Sequence, residues 1–156
     1  MKLCKSILTS VLLMLTGNII AQPSGNAMKL FEMKQYKNAK SAFLHELKNT
    51  NSASGWFYLG KMYSIQGQSD SAKICFSAIE TADPKNALSI VAQAINELSA
   101  GNKNQALSTL EKASKLAIAK KDINALVEIA PVRYLTGDTL GWIIPLTLAS
   151  GMDSKK

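Results

Sequence analysis

The chain has 156 residues, 47% of them hydrophobic, and carries a formal net charge of +7. That composition excludes a disordered or membrane-embedded protein and fits one modest globular domain. Of the 18 basic residues only Arg133 is Arg, and bidentate reading of phosphates and base edges relies on Arg forks, so no nucleic-acid partner is expected. The lysines (Lys37, Lys40, Lys48, Lys73, Lys103, Lys112, Lys115, Lys120, Lys121) are scattered at spacings that suit solvated helix faces, with weak attraction to acidic partners.

The first element, MKLCKSILTSVLLMLTGNIIAQP, reads as a signal peptide over residues 1–21. Lys2 and Lys5 form the basic region, Ile7 to Leu15 the apolar one, and Ala21 is the small residue before the cut. The 16 residues from Ser6 to Ala21 are fewer than the roughly 20 that span a bilayer. A cleaved, periplasmic or secreted protein without an integral membrane span is therefore expected, and no Cys lies near the cut to make a lipoprotein. Cleavage removes Cys4 and leaves Cys75 alone, so stability must come from packing rather than a disulfide. Cys75 itself reads as a small hydrophobe.

Next come helices in pairs. Ala27 and Leu30 lie on a first helix, and KQYKNAKSAF places Ala39 and Phe43 one turn apart on a second. Trp56, Leu59, Gly60 and Tyr63 recur at helical spacing, Gly67 ends that helix, and Ala72, Phe76 and Ile79 mark the helix after it, closed by Asp83-Pro84. Gly60 and Ala72 are small because a larger side chain would force closely crossing helix axes apart. Leu88, Val91, Ala92 and Ile95 repeat the Trp56 spacing, followed by Gly101, Ala106, Leu110 and Ala113. Ala39, Ala72 and Ala106 thus fall 33 and 34 residues apart. A fourth unit starts with Leu126, Ile129 and Ala130, and then departs from the pattern. Pro131 removes a backbone donor, and DTLGWIIPLTLAS replaces the expected small residue.

Trp56, Leu59, Gly60, Tyr63, Ala72, Phe76 and Pro84 meet the pattern W-x2-L-G-x2-Y, A-x3-F, P in full, and the stretch resembles a tetratricopeptide repeat of an exported bacterial protein. The resemblance implies an all-α fold: a right-handed α-solenoid of about three hairpins over residues 22–137, with a degenerate capping hairpin whose atypical helix and polar tail occupy 138–156. One hairpin cannot bury its apolar face, whereas three stacked ones can.

Catalytic equipment is missing from the sequence. The lone His45 precedes Glu46, but Leu47, Lys48 and Asn49 follow, so no HExxH zinc motif exists. LTGDTLG lacks the spacing and the Lys of a phosphate loop, and Asp138 alone cannot supply a calcium shell; it reads as the N-cap of the last helix. No enzyme, metal or cofactor is expected.

The resemblance further implies a concave groove lined by the first helix of each hairpin, where family members bind extended peptides or partner helices. The residues opposite the packing stripe give its candidates: Met28, Phe31 and Glu32; Phe57, Lys61, Ser64 and Ile65; Ser89, Gln93, Asn96 and Glu97. Phe31 and Phe57 read as exposed aromatic anchors for a partner, and Phe57, Lys61, Gln93 and Asn96 as one contact surface. The Lys, Asn and Arg with which some members clamp a C-terminal carboxylate are absent, Tyr58 and apolar residues holding those places. The expected function is a non-catalytic adaptor or assembly factor of the cell envelope with a protein or peptide partner. The other reading is an architectural subunit buried in an oligomer or larger complex.

Overall fold

The computed structural model describes residues 25–153. The expected signal peptide at 1–21 and the last three residues of the tail lie outside the described residues. The described chain is all-helical, with eight helices and no strand: α1 (Gly25–Glu32), α2 (Tyr36–Asn49), α3 (Ala53–Ile65), α4 (Ser69–Ala82), α5 (Ala87–Ser99), α6 (Lys103–Lys120), α7 (Ile123–Thr136) and α8 (Ile143–Asp153). No helix among them is long and apolar enough to cross a membrane.

Helix starts follow from local chemistry. The Ser52, Asn86 and Asp122 side chains accept backbone N–H bonds from Gly55, Leu88 and Ala125, satisfying donors that open α3, α5 and α7. The turns between α1 and α2, α3 and α4, α5 and α6, and α7 and α8 share one geometry. Lys34, Gly67, Gly101 and Gly137 each adopt positive φ. The N–H of the following residue donates five residues back: Gln35 to Leu30, Gln68 to Tyr63, Asn102 to Glu97, and Asp138 to Arg133, at 2.9–3.2 Å. The left-handed residue itself donates three residues back, to Phe31, Ser64, Leu98 and Tyr134 respectively. This is the Schellman termination, for which glycine is the unstrained choice. Within the hairpins it recurs at intervals of 33, 34 and 36 residues, and it also closes α6 at Lys121, between α6 and α7.

Small residues sit where the paired helices cross. Ala27, Ala39, Gly60, Ala72, Ala92 and Ala106 are all buried. A Cβ built on Gly60 would lie 2.7 Å from Cε1 of Phe76, so the ring occupies the space a side chain would need. The odd-numbered helices also touch one another. α3 packs on α2, α4 and α5, and α7 packs on α5, α6 and α8, with one continuous apolar core running from Ala27 to Ala149.

This double packing overturns two expectations. Phe57, read from the sequence as an exposed anchor, is 0% exposed. Its ring meets Tyr58 edge-on at 5.5 Å and Phe76 at 5.9 Å. Ser89, placed on the polar stripe of α5, is buried as well, and its hydroxyl donates to the carbonyls of Asp83 and Ile79. A helix with neighbours on more than one side buries most of its circumference: Phe57 packs on Phe76 of α4, and Ser89 reaches back to the end of α4, so neither faces water.

The last unit is helical despite its proline. α7 runs unbroken through Pro131, which faces solvent. Asp138 does not cap α8, which begins five residues later at Ile143. Its Oδ1 instead accepts the Gly141 N–H at 2.8 Å, and its Oδ2 pairs with Arg133 at 2.9 Å. A Cβ at position 141 would collide with that carboxylate. The Gly141 N–H, followed by the Arg133 guanidinium, holds the Asp138 carboxyl below its usual range.

Candidate functional site

The face carrying most of the candidates is organised by a charge pair that periodicity does not reveal. Lys61 on α3 places its Nζ 2.9 and 2.7 Å from the two carboxylate oxygens of Glu128 on α7. The two residues are 67 positions apart, on helices separated in the fold by α5. Glu128 is buried, and a buried carboxylate is tolerated where its charge is paired and hydrogen-bonded. Both conditions hold, since the Lys61 ammonium donates to both carboxylate oxygens. Burial first, and then the negative charge of Glu128, push the neighbouring Tyr58 hydroxyl above its ordinary range, so it stays neutral.

Phe31 completes this group. Its ring lies 5.4 Å from that of Tyr58 and 5.9 Å from that of Tyr36. The Lys61 ammonium sits 5.4 Å from the Phe31 centroid and 5.7 Å from that of Tyr58, within cation–π range. Phe31 is half-buried. Lys61 is partly exposed, but its charge is already answered within the fold, so an acidic partner would compete with Glu128 for it.

Of the remaining candidates, Ser64 is exposed and turns its hydroxyl back onto the Gly60 carbonyl at 3.1 Å. Gln93 is exposed, and its Nε2 donates to Glu97 Oε1 at 3.0 Å. Glu97 accepts a second bond from Gln105 of α6 at 3.2 Å, which ties α5 to its partner helix. Asn96 is half-buried at the end of α5, where its carbonyl accepts the Ala100 N–H. The structure therefore brings Phe31, Tyr58, Lys61 and Glu128 together, and Gln93 with Glu97. It withdraws Phe57 from any such surface.

Tyr58 and Glu128 are the residues that sequence reasoning missed. Glu128 carried a signal, as a single acid between Leu126 and Ile129-Ala130 on a strongly apolar helix. A carboxylate in such a setting needs a cation from elsewhere in the fold. Nothing in the sequence named Lys61 as that cation.

Other reactive groups are quiet. Burial pushes the Cys75 thiol up to about 11, with Lys40 pulling weakly the other way, so it is a protonated core residue at neutral pH. Exposed His45 borders a shallow hollow with Asn26, Ala42, Glu46, Asn49 and Thr50, away from the Lys61 cluster. Among the described residues no three His, Cys, Asp or Glu side chains converge as a metal site requires. Comparison of the sequence with protein-family models and with curated proteins finds no match.

Proposed function

We propose that this chain is an exported, non-catalytic protein-interaction module: a right-handed solenoid of three tetratricopeptide-like hairpins and a degenerate fourth, acting as an adaptor or assembly factor of the cell envelope. The observation that carries the reading is the recurrence of one Schellman turn at Lys34, Gly67, Gly101 and Gly137. Buried small residues at each helix crossing accompany it. A chain that repeats both its turns and its crossings stacks like units side by side, and stacks of this kind present long concave surfaces used for binding.

The partner segment is accommodated along Phe31, Lys61, Ser64, Gln93, Asn96 and Glu97. Because Lys61 is neutralised by Glu128, the surface suits a segment that offers backbone amides to Gln93 and Asn96, with an apolar side chain against the Phe31 ring. A photo-crosslinking amino acid at exposed Gln93 is expected to capture a defined envelope protein, whereas the same label at Ile74, exposed on α4, captures none. Equal capture from both positions would defeat the groove assignment. A second reading, an architectural subunit of an oligomer, is favoured by a separate observation: the large apolar side chains left uncovered at the C-terminal end.

A further inference from the structure

The free side of α7 is apolar along its length. Val127, Pro131, Tyr134 and Leu135 are exposed and recur at i, i+4, i+7 and i+8, one stripe on the side away from the core residues Leu126, Ile129 and Ala130. The Tyr134 ring meets Trp142 edge-on at 6.2 Å, which carries the stripe onto the loop and α8. There Pro145 and Ala149 turn inward, leaving Leu140, Ile143, Ile144 and Leu146 outside. Tyr134 is 61%, Leu135 65%, Leu140 79% and Ile144 60% exposed.

We infer that this end of the molecule is a self-association face, covered in solution by the same end of a second copy. Three observations select that occupant. By their fractional exposures, the apolar residues of the patch leave on the order of 800 Å² uncovered, which matches the roughly 800 Å² that each partner brings to a standard protein interface. The patch also continues a packing series. α3 is covered by α5 and α5 by α7, while no further helix among the described residues lies over the equivalent side of α7; terminal units of stacked proteins ordinarily present a polar outer face.

The third observation is charge. Among the described residues the patch carries no unpaired charge, because Arg133 at its edge is held by Glu111 at 2.8 Å and Asp138 at 2.9 Å. Two copies can therefore meet across a two-fold axis without setting like charges against each other, as an isologous interface requires. The other end is unsuitable as the complement, since exposed Met33 sits among Glu32, Lys34 and Lys37. Tyr134 and Trp142 supply the aromatic anchors that concentrate binding energy near an interface centre. The inference does not depend on the groove reading.

Sedimentation of the chain from Gln22 onwards, the form left by the expected cleavage, over a range of concentrations tests it. The expected species at micromolar concentration has twice the mass of that chain. Leu140→Lys combined with Ile144→Lys should weaken dimerisation at least a hundredfold, with helical circular dichroism unchanged because both side chains lie outside the core. Ile74→Lys, on exposed α4 surface, should leave the dimer as it is. A parent that stays monomeric throughout overturns the inference, as does a Leu140/Ile144 variant that dimerises like the parent. A monomeric parent that binds anionic phosphatidylglycerol vesicles through Leu140 and Ile144 also overturns it, assigning the face to a lipid surface.

Discussion

α3 and α7 occupy corresponding places in the series of paired helices, and both are rich in apolar residues, yet they meet different surroundings. α3 buries Ala53, Gly55, Phe57, Tyr58, Leu59, Gly60 and Met62, because α2, α4 and α5 all lie against it. α7 also has three neighbours, α5, α6 and α8, and buries Ala125, Leu126, Glu128, Ile129, Ala130, Val132 and Thr136, yet it leaves Val127, Tyr134 and Leu135 to solvent on its remaining side. Apolar composition therefore says that a helix seeks cover on more than one side. Whether it receives that cover within the chain depends on its place in the stack.

The largest expected effect follows from the covered helix. Phe57→Ala removes a fully buried ring packed between Tyr58 and Phe76 and should cost about 3–5 kcal/mol, the range for large aromatic deletions in cores. Denaturant or thermal unfolding measures it. A variant as stable as the parent would mean that α3 has an open face like that of α7, and the contrast between the two helices would fall.

A smaller effect is expected at the crossing of α3 with α4. Gly60→Ala places a Cβ 2.7 Å from Cε1 and 2.9 Å from Cδ1 of Phe76, so ring and helix axis must move apart. Overpacking of this kind costs about 1–3 kcal/mol, offset in part by the better helix propensity of Ala, about 1 kcal/mol. A net loss of about 1 kcal/mol in unfolding experiments is expected. Combining the change with Phe76→Leu should shrink the loss caused by Gly60→Ala, because the clashing ring atoms are gone. A Gly60→Ala penalty that is the same in both backgrounds would place the strain elsewhere.

These two sites also mark how far the sequence could be read. The helices themselves were legible: the spacing of Trp56, Leu59, Gly60 and Tyr63, the stop at Gly67, and Ala72 with Phe76 are local signals that 3.6-residue periodicity converts directly into one buried face. Gly60 could even be assigned to a close crossing. Phe57 could not be placed, because the stripe read as packing on α4 left it on the opposite side, whereas its ring reaches Phe76 as well. Non-local packing hid the approach of Tyr58 to Glu128 and the pairing of Glu128 with Lys61, 67 residues apart. Phe31 and Lys61 were found as candidates, but their engagement with each other and with Tyr58 was not. At the chain's other end, Pro131 removes a backbone donor, yet α7 continues through it with the ring exposed.

The smallest effect tests the uncovered helix, and its size depends on concentration. Leu135 is largely exposed, so Leu135→Ala removes little buried area within one chain, and a surface substitution of this sort usually changes stability by about 0.5 kcal/mol or less. If a second copy covers the α7 stripe, the folded state is additionally stabilised by association, and that contribution grows with protein concentration. Melting temperatures of parent and Leu135→Ala should therefore nearly coincide in dilute solution and separate as concentration rises, the parent climbing faster. Phe57→Ala should lie below the parent by a wide margin even in the most dilute sample, because its loss is internal to one chain. A Leu135→Ala melt that lies well below the parent in dilute solution would mean that this side chain is already packed within the monomer, and the α7 stripe would then be covered by the chain's own residues.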